Sequence, residues 1–399
     1  VNENRIRILH LIETGGPGGA EKVLLNVVKN IDSTRFGSLV LTLRKGWLYQ
    51  TLRKHHFEAK IIKSNRAWDI GFLLRLSTLI RKEKIDLIHS HLPGINFYGC
   101  LAGRITKRPV IVTYHGKIGK GNKRTWKDVF KNFVIKKTAV QVVTVSDYLR
   151  KEFINETGIN RCKVTTLYPG IDFKAFAPTK NLLGLKRKLG LSESTPLVGT
   201  VGNIRGSKGY EYLIQSAKRV GEKVPHVFFL VVGEKEEKLF SDLNKLTEKL
   251  GLGERIKFVG FREDVADYLN ILDIFVLSST TEGFSIATVE AMSLAKPVVV
   301  TDCGGPAEIV INNQTGFLVP PGDPESLAKK IILLLENKKL REEMGKRAQI
   351  GVRRRFSIEK NIKNHELLYI NCMKRHLRNS QTKKRLTGCM TSGTGEKVN

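Results

Sequence analysis

Two carboxylates eight residues apart, Glu282 and Glu290, enclose the apolar run of "EGFSIATVE". Three chemistries fit such a pair: an acid–base couple, two metal ligands, or two acids serving different parts of one ligand. On an unbroken helix, at about 100° per residue, positions eight apart lie roughly 80° apart around the axis and two turns apart along it. Pro297 disfavours helical backbone at Lys296, and Ser285 is a good N-cap, so the sequence predicts a helix over about 286–295. Glu282 then falls in the preceding loop and Glu290 in the helix's second turn. The free amides of Phe284 to Ala287 lie between them and can bind phosphate. A metal pair is not expected, because one acid is in a loop and no Asp-x-Asp or His cluster supports it.

Two further loops carry chemistry. "TGGPGGAE" stands between a strand and a helix, where glycines such as Gly18 and Gly19 let backbone amides approach a phosphate. It is not the dinucleotide fingerprint, since Glu21 stands where the last glycine is needed. A plain tight turn is the other reading. "GNIRGSKGYEYLI" places Arg205 and Lys208 before a helix starting near Tyr210. A guanidinium fork and a point charge there suit a diphosphate and would stabilise charge on a departing nucleoside diphosphate. The alternative is a solvated basic loop.

These loops need strands and helices to hold them. Short apolar runs ("RIRILHLI", "SLVLTL", "IDLIHSH", "PVIVTYH", "AVQVVTVS") alternate with helical spacing, the rhythm of βαβ units on a parallel sheet. A second series begins at "PLVGTVGNI" and runs through "HVFFLVVG", "IKFVGF", "DIFVLSS" and "KPVVVTD". The chain of 399 residues is long for one core. It is read as two doubly wound α/β domains, 1–175 and 190–354, with a linker around 173–194. A helix over 355–378 completes the first domain, and a flexible basic tail follows over 379–399.

Composition narrows the classes. No apolar run approaches the roughly 18 residues of a membrane span, and the N-terminal stretch lacks a signal-peptide pattern. Five scattered cysteines indicate neither a disulfide framework nor a zinc site and suit a reducing cytoplasm. Of the net charge of +30, residues 1–200 supply 36 basic against 14 acidic side chains, while residues 201–350 supply 20 against 21. That asymmetry points the first half at an anionic partner: a membrane surface, a phosphorylated substrate or nucleic acid.

"EGFSIATVEAMSLAKPVVVTDCGGPAEIV" resembles the donor-binding signature of the glycosyltransferase family four superfamily, the retaining GT-B enzymes. "GGPGGAEKVLLNV", "PVIVTYHG", "YPGID", "VGNIRGSKG" and "IKFVGFREDV" match that family in order, and the likeness covers roughly residues 6–375. The resemblance implies two Rossmann-like domains across a cleft, with a nucleotide sugar held mainly by the second. Matched residue by residue, Glu290 would hold ribose hydroxyls and Glu282 the donor sugar's hydroxyls. Gly283 and the amides of Phe284, Ser285 and Ile286 would meet sugar and phosphate, and Lys208 the diphosphate. His115 would lie by the donor sugar, Gly18 or Gly19 would face the diphosphate, and Phe261 and Arg262 would frame the base. Asn203 replaces the family's usual arginine, a role that Arg205 would have to fill, and Ser278–Ser279 replaces the usual Pro-Ser. His115 also has the plainer reading of a buried histidine at a strand end. His89 and His91 are read as structural or acceptor-side.

The expected reaction is sugar transfer from a nucleotide diphosphate sugar to an acceptor hydroxyl with retained anomeric configuration, without metal or resident cofactor. The segment 120–137 sets Trp126, Val129, Phe130, Phe133 and Val134 on one helical stripe, with seven basic residues and one acid over the remainder. Such a helix can lie on anionic lipid or pack its apolar stripe on the sheet. The expected acceptor is a sugar or a lipid-linked or cell-surface polysaccharide intermediate, and the lipid reading favours a lipid-linked one at the cytoplasmic face of the membrane. The alternatives are a sugar-nucleotide epimerase or phosphorylase of similar architecture, an NADP-dependent oxidoreductase and a basic nucleic-acid-binding protein. No nucleic-acid motif or aromatic stacking series supports the last.

Overall fold

The computed structural model describes residues 5–64, 68–116, 125–176 and 181–391, with side chains as far as 378. Thirteen strands are named along the described chain. They are β1 (Ile6–Ile12), β2 (Phe36–Thr42), β3 (Glu58–Ile61), β4 (Leu87–His91), β5 (Val110–Tyr114), β6 (Gln141–Thr144) and β7 (Val164–Thr166), followed by β8 (Leu197–Val201), β9 (Phe228–Val232), β10 (Ile256–Gly260), β11 (Ile274–Leu277), β12 (Val298–Thr301) and β13 (Phe317–Val319). The first seven form one sheet in the order β3-β2-β1-β4-β5-β6-β7, and the other six form a second in the order β10-β9-β8-β11-β12-β13. All the pairings are parallel.

Both orders reverse direction beside their first strand, as in doubly wound sheets, and the reversal leaves a crevice at the carboxyl ends of the strands. The central strands β4, β5, β8 and β12 are buried at every position, because helices cover both faces. Apolar cores flank each sheet, one built on Leu9, Leu39, Ile88 and Val112 and another on Val198, Phe229, Val276 and Val299.

The chain crosses between the halves twice. The first crossing, expected as a linker around 173–194, holds a short turn at Phe173–Phe176 and a helix at Leu182–Lys188. Leu189 and Leu191 from its end are buried with residues of the second half. At the second crossing Ile171 and Ser357 form a bridge, with backbone hydrogen bonds Ile171 N to Phe356 O (2.9 Å) and Ile358 N to Ile171 O (3.1 Å). The helix Ile358–Thr391 then returns to the first half, where Tyr369 and Cys372 are buried with Ile8, Leu87 and Ile111. Its backbone continues to Thr391, past residue 379 where the sequence reading placed a flexible tail. Residues 392–399 lie outside the described residues.

Candidate active site

A cavity of about 600 Å³ lies between the carboxyl edges of the two sheets. The first half lines it with Thr14–Val23 after β1, Leu92–Pro93 after β4 and His115–Gly116 after β5. From the second half come Gly202, Asn203, Arg205 and Lys208 after β8, Phe261 and Arg262 after β10, and Glu282, Phe284–Ala287 and Glu290 after β11.

The signature segment folds as its local signals dictate. Its helix runs Ile286–Ser293, and the Ser285 hydroxyl caps it by accepting from Thr288 N at 3.3 Å. The helix stops two residues short of the expected end because Ala295 adopts a left-handed conformation, φ 57°. Glu282 therefore sits outside the helix and Glu290 inside it. They do not face each other as an acid–base couple. Glu282 is held at the loop end by backbone hydrogen bonds Glu282 N to Cys303 O (3.2 Å) and Gly305 N to Glu282 O (3.0 Å).

Glu282 and Lys208 form an ion pair through Oε1 and Nζ, and the Ser279 hydroxyl donates to the same carboxylate oxygen at 3.1 Å. Ser278 completes the brace by donating to the Lys208 carbonyl at 3.0 Å. Ser278, which departs from the family pattern, and Ser279, which keeps it, thus hold the charged pair in place. Gly209 makes the turn after Lys208 at φ +60°, and a Cβ there would come within 2.2 Å of the Ser278 carbonyl oxygen. The helix Tyr210–Lys223 follows, starting where the sequence placed it.

Glu290 is buried. Its Oε1 lies 3.6 Å from Lys22 Nζ, on the helix Gly19–Asn30 of the opposite half, and its Oε2 has no hydrogen-bond partner among the described residues. A buried carboxylate oxygen left without a donor is costly unless a ligand supplies one. Lys22 was not singled out from the sequence. Its partner is 268 positions away, and only the facing of the two halves brings them together.

The remaining expected residues fall as follows. Gly18 caps the helix Gly19–Asn30, whose N-terminus faces the cavity, and Gly19 lies against Ile286 of the other half. Asn203 accepts from Glu234 N at 3.2 Å, so its side chain shapes the loop, while Arg205 is exposed on the cavity lining. Phe261 and Arg262 form part of the wall. Gly283 is not in the lining. It lies behind the cavity, where a Cβ would come within 2.4 Å of the His115 carbonyl oxygen.

His115 is half-buried: it lines the cavity and touches a buried histidine cluster. Its Nε2 is 3.1 Å from His91 Nδ1. His89 bonds Tyr369 OH through Nδ1 (2.8 Å) and Thr113 Oγ1 through Nε2 (2.7 Å). Burial lowers His10 and His115 to about 3 and His365 to about 4, and holds His89 and His91 well below the ordinary value. The ring nitrogens of His10, His89 and His91 approach within 4.8 Å of one another. Because both His89 nitrogens already have protein partners, the trio offers a cation fewer ligands than its composition suggests.

Two doubly wound sheets opening their carboxyl edges onto one cleft make the GT-B architecture. The family model "Glycosyl transferases group 1" matches residues 184–350, and "Glycosyltransferase Family 4" matches residues 17–175. A UDP-Gal:alpha-D-GlcNAc-diphosphoundecaprenol alpha-1,3-galactosyltransferase of Escherichia coli is 26% identical over 385 residues, covering 92% of this chain and 97% of that protein. The capsular polysaccharide biosynthesis glycosyltransferase CapM of Staphylococcus aureus is 30% identical over 305 residues, 72% of this chain and 77% of that one. Among solved structures, Anabaena HepE in complex with UDP-glucose superposes with a TM-score of 0.83 at 25% identity, covering 92% of this chain and 100% of that one. The chain belongs to the group 1 glycosyltransferases of family 4 and is a glycosyltransferase.

Proposed function

We propose that the cleft binds a nucleoside diphosphate sugar and transfers its sugar, with retained anomeric configuration, to the hydroxyl of a lipid-linked acceptor. The observation that carries the donor reading is Glu290. Its buried, unpartnered Oε2 can accept from a ribose hydroxyl, at the far end of a helix N-terminus from Lys208 and Glu282. The interval between the two acids thus spans one ligand: ribose at Glu290, phosphates at the amides of Phe284 to Ala287 with Lys208, and sugar at Glu282 and His115. Phe261 and Arg262 frame the base, Gly18 and Gly19 face the diphosphate, and Arg205 adds charge at the rim. No resident metal or cofactor is part of this reading.

The chemistry is mainly positioning and charge stabilisation. Lys208 meets the charge that grows on the leaving diphosphate, and the departing oxygen takes the acceptor's proton on the same face of the sugar. A panel of nucleoside diphosphates and their sugars, read by thermal shift and then by nucleotide release, should show stabilisation by one base and turnover of one sugar. Absence of stabilisation by every nucleoside diphosphate would overturn the donor site. Proton NMR of the product should show the donor's anomeric configuration, and an inverted product would overturn the same-face route.

The lipid reading rests on the helix Trp126–Thr138. Four of the stripe's five residues face solvent: Trp126 is 71% exposed, Val129 54%, Phe130 44% and Phe133 55%, while Val134 and its neighbour Ile135 are buried with the sheet. Trp68 stands 5.9 Å from Phe130, and Ile70 and Leu74 are exposed on the helix Ile70–Lys82. Apolar side chains turned to solvent among Lys127, Lys131 and Lys137 match the surface of an anionic bilayer. Residues 120–124, the start of the basic segment, lie outside the described residues. No described helix is long and apolar enough to cross a membrane. The wild-type protein should sediment with liposomes containing anionic lipid at low salt, and a Trp126→Ser/Phe133→Ser variant should bind at least tenfold more weakly, since each buried aromatic contributes about 1.5–3 kcal/mol. Equal partitioning onto neutral and anionic vesicles would remove the idea.

A further inference from the structure

We infer that His91 is a positioning residue: through its hydrogen bond to His115 it fixes which nitrogen of His115 carries the proton, and so makes His115 a donor toward the ligand. This deepens the donor-site reading and rests on it for the ligand's identity.

The inference starts from hydrogen-bond bookkeeping in the cluster. His91 is 1% exposed, its ring lies with centroids 4.2 Å from His89 and 6.1 Å from His10, and its Nε2 has no hydrogen-bond partner among the described residues. Burial keeps these rings neutral, so each carries a single N–H. At 3.1 Å between His91 Nδ1 and His115 Nε2, one nitrogen donates and the other accepts. If His115 donated, the proton of His91 would have to sit on Nε2, a buried N–H with no acceptor. If His91 donates, its Nε2 is a bare lone pair. Orphaned buried N–H groups are the rarer of the two in proteins. His91 therefore holds its proton on Nδ1 and gives the hydrogen bond.

That choice passes to the next ring. His115 Nε2 accepts, so the proton of neutral His115 is on Nδ1, the nitrogen that His91 leaves for a ligand. His115 lines the cavity after β5, and His91 ends β4, the neighbouring strand, where Thr113 and His91 are register partners. The backbone register thus builds the relay. A donor at His115 suits an oxygen of the sugar or phosphate. The opposite tautomer would instead place a lone pair against that oxygen.

The test uses the full chain labelled with nitrogen-15 at histidine, with His115 resonances assigned by their loss in His115→Gln. Long-range proton–nitrogen correlation of the ligand-free wild type at pH 7.5 should show His115 with a protonated Nδ1 and a bare Nε2. Asparagine can place an amide N–H where His91 Nδ1–H stands, so His91→Asn should keep that tautomer and most of the activity. His91→Leu should lose the tautomer preference and about 10- to 100-fold in kcat for sugar transfer. Its stabilisation by a nucleoside diphosphate, which lacks the sugar, should stay at the wild-type level. A wild-type His115 protonated at Nε2 would overturn the inference, as would a His91→Leu protein with unchanged tautomer and rate. The tautomer is read without ligand, so it decides this question even if no nucleoside diphosphate binds and the donor-site reading falls.

Discussion

Replacing Glu290 with alanine is expected to raise the donor's KM by about 10- to 100-fold, the scale of a lost hydrogen bond to a charged group. The variant removes an acceptor in the cleft that is already desolvated and has no donor among the described residues, its Oε2. It also frees Lys22, one-third exposed, which reaches water at little cost. Lys208→Ala should act on the other parameter. Loss of a preorganised charge at the leaving group typically costs about 100- to 1,000-fold in kcat, and Glu282 is left with only the Ser279 hydroxyl among its present side-chain partners. Steady-state kinetics separate the two, and thermal shift by the nucleoside diphosphate should weaken in both. Wild-type donor binding in both variants would contradict the assignment of this cleft.

The second large effect is on stability in mild acid. Four histidines, His10, His89, His91 and His365, are held neutral by burial, and the half-buried His115 beside them is lowered as well. Their unfolded value is near 6.5. A folded value below the unfolded one means that the unfolded chain binds more protons between the two, so stability is full above about pH 6.5 and falls as pH drops toward the folded values. Each group contributes up to about 1.4 kcal/mol per pH unit in that window. Several acting together exhaust a typical 5–15 kcal/mol of stability before most carboxylates titrate. Urea midpoints measured from pH 7.5 to 5.0 should fall steeply below 6.5, with a slope of more than one proton taken up on unfolding. A flat profile down to pH 5 would show that the cluster is not neutral in the folded state.

How much of this the sequence disclosed follows from the range of each interaction. The cap at Ser285, the helix after it and the loop position of Glu282 come from signals within a dozen residues, and they were legible. So was the doubly wound class, because short runs such as Val298–Thr301 are mostly apolar without alternation, as strands covered on both faces must be. The pairing of Lys22 with Glu290 needs two domains facing each other and leaves no local trace. The histidine cluster draws on β1, β4, the end of β5 and the last helix, so the sequence offered "IHSH" and a distant "YHG" with nothing to join them. Periodicity found the stripe on helix Trp126–Thr138 but not the side facing solvent. That depends on what the neighbouring helix Pro93–Thr106 already covers.

The seam where Ile171 meets Ser357 limits how the cleft can open. Two separate stretches of chain join the halves, and they are stitched to each other there by backbone hydrogen bonds, with the Asn361 amide donating to the Tyr168 carbonyl at 2.6 Å beside them. A single tether would let the halves swing in any direction. A pair fastened side by side acts as a hinge pin with one favoured axis. The Lys22–Glu290 pair, 3.6 Å apart on the cleft side, is a second fastening between the halves, away from that pin.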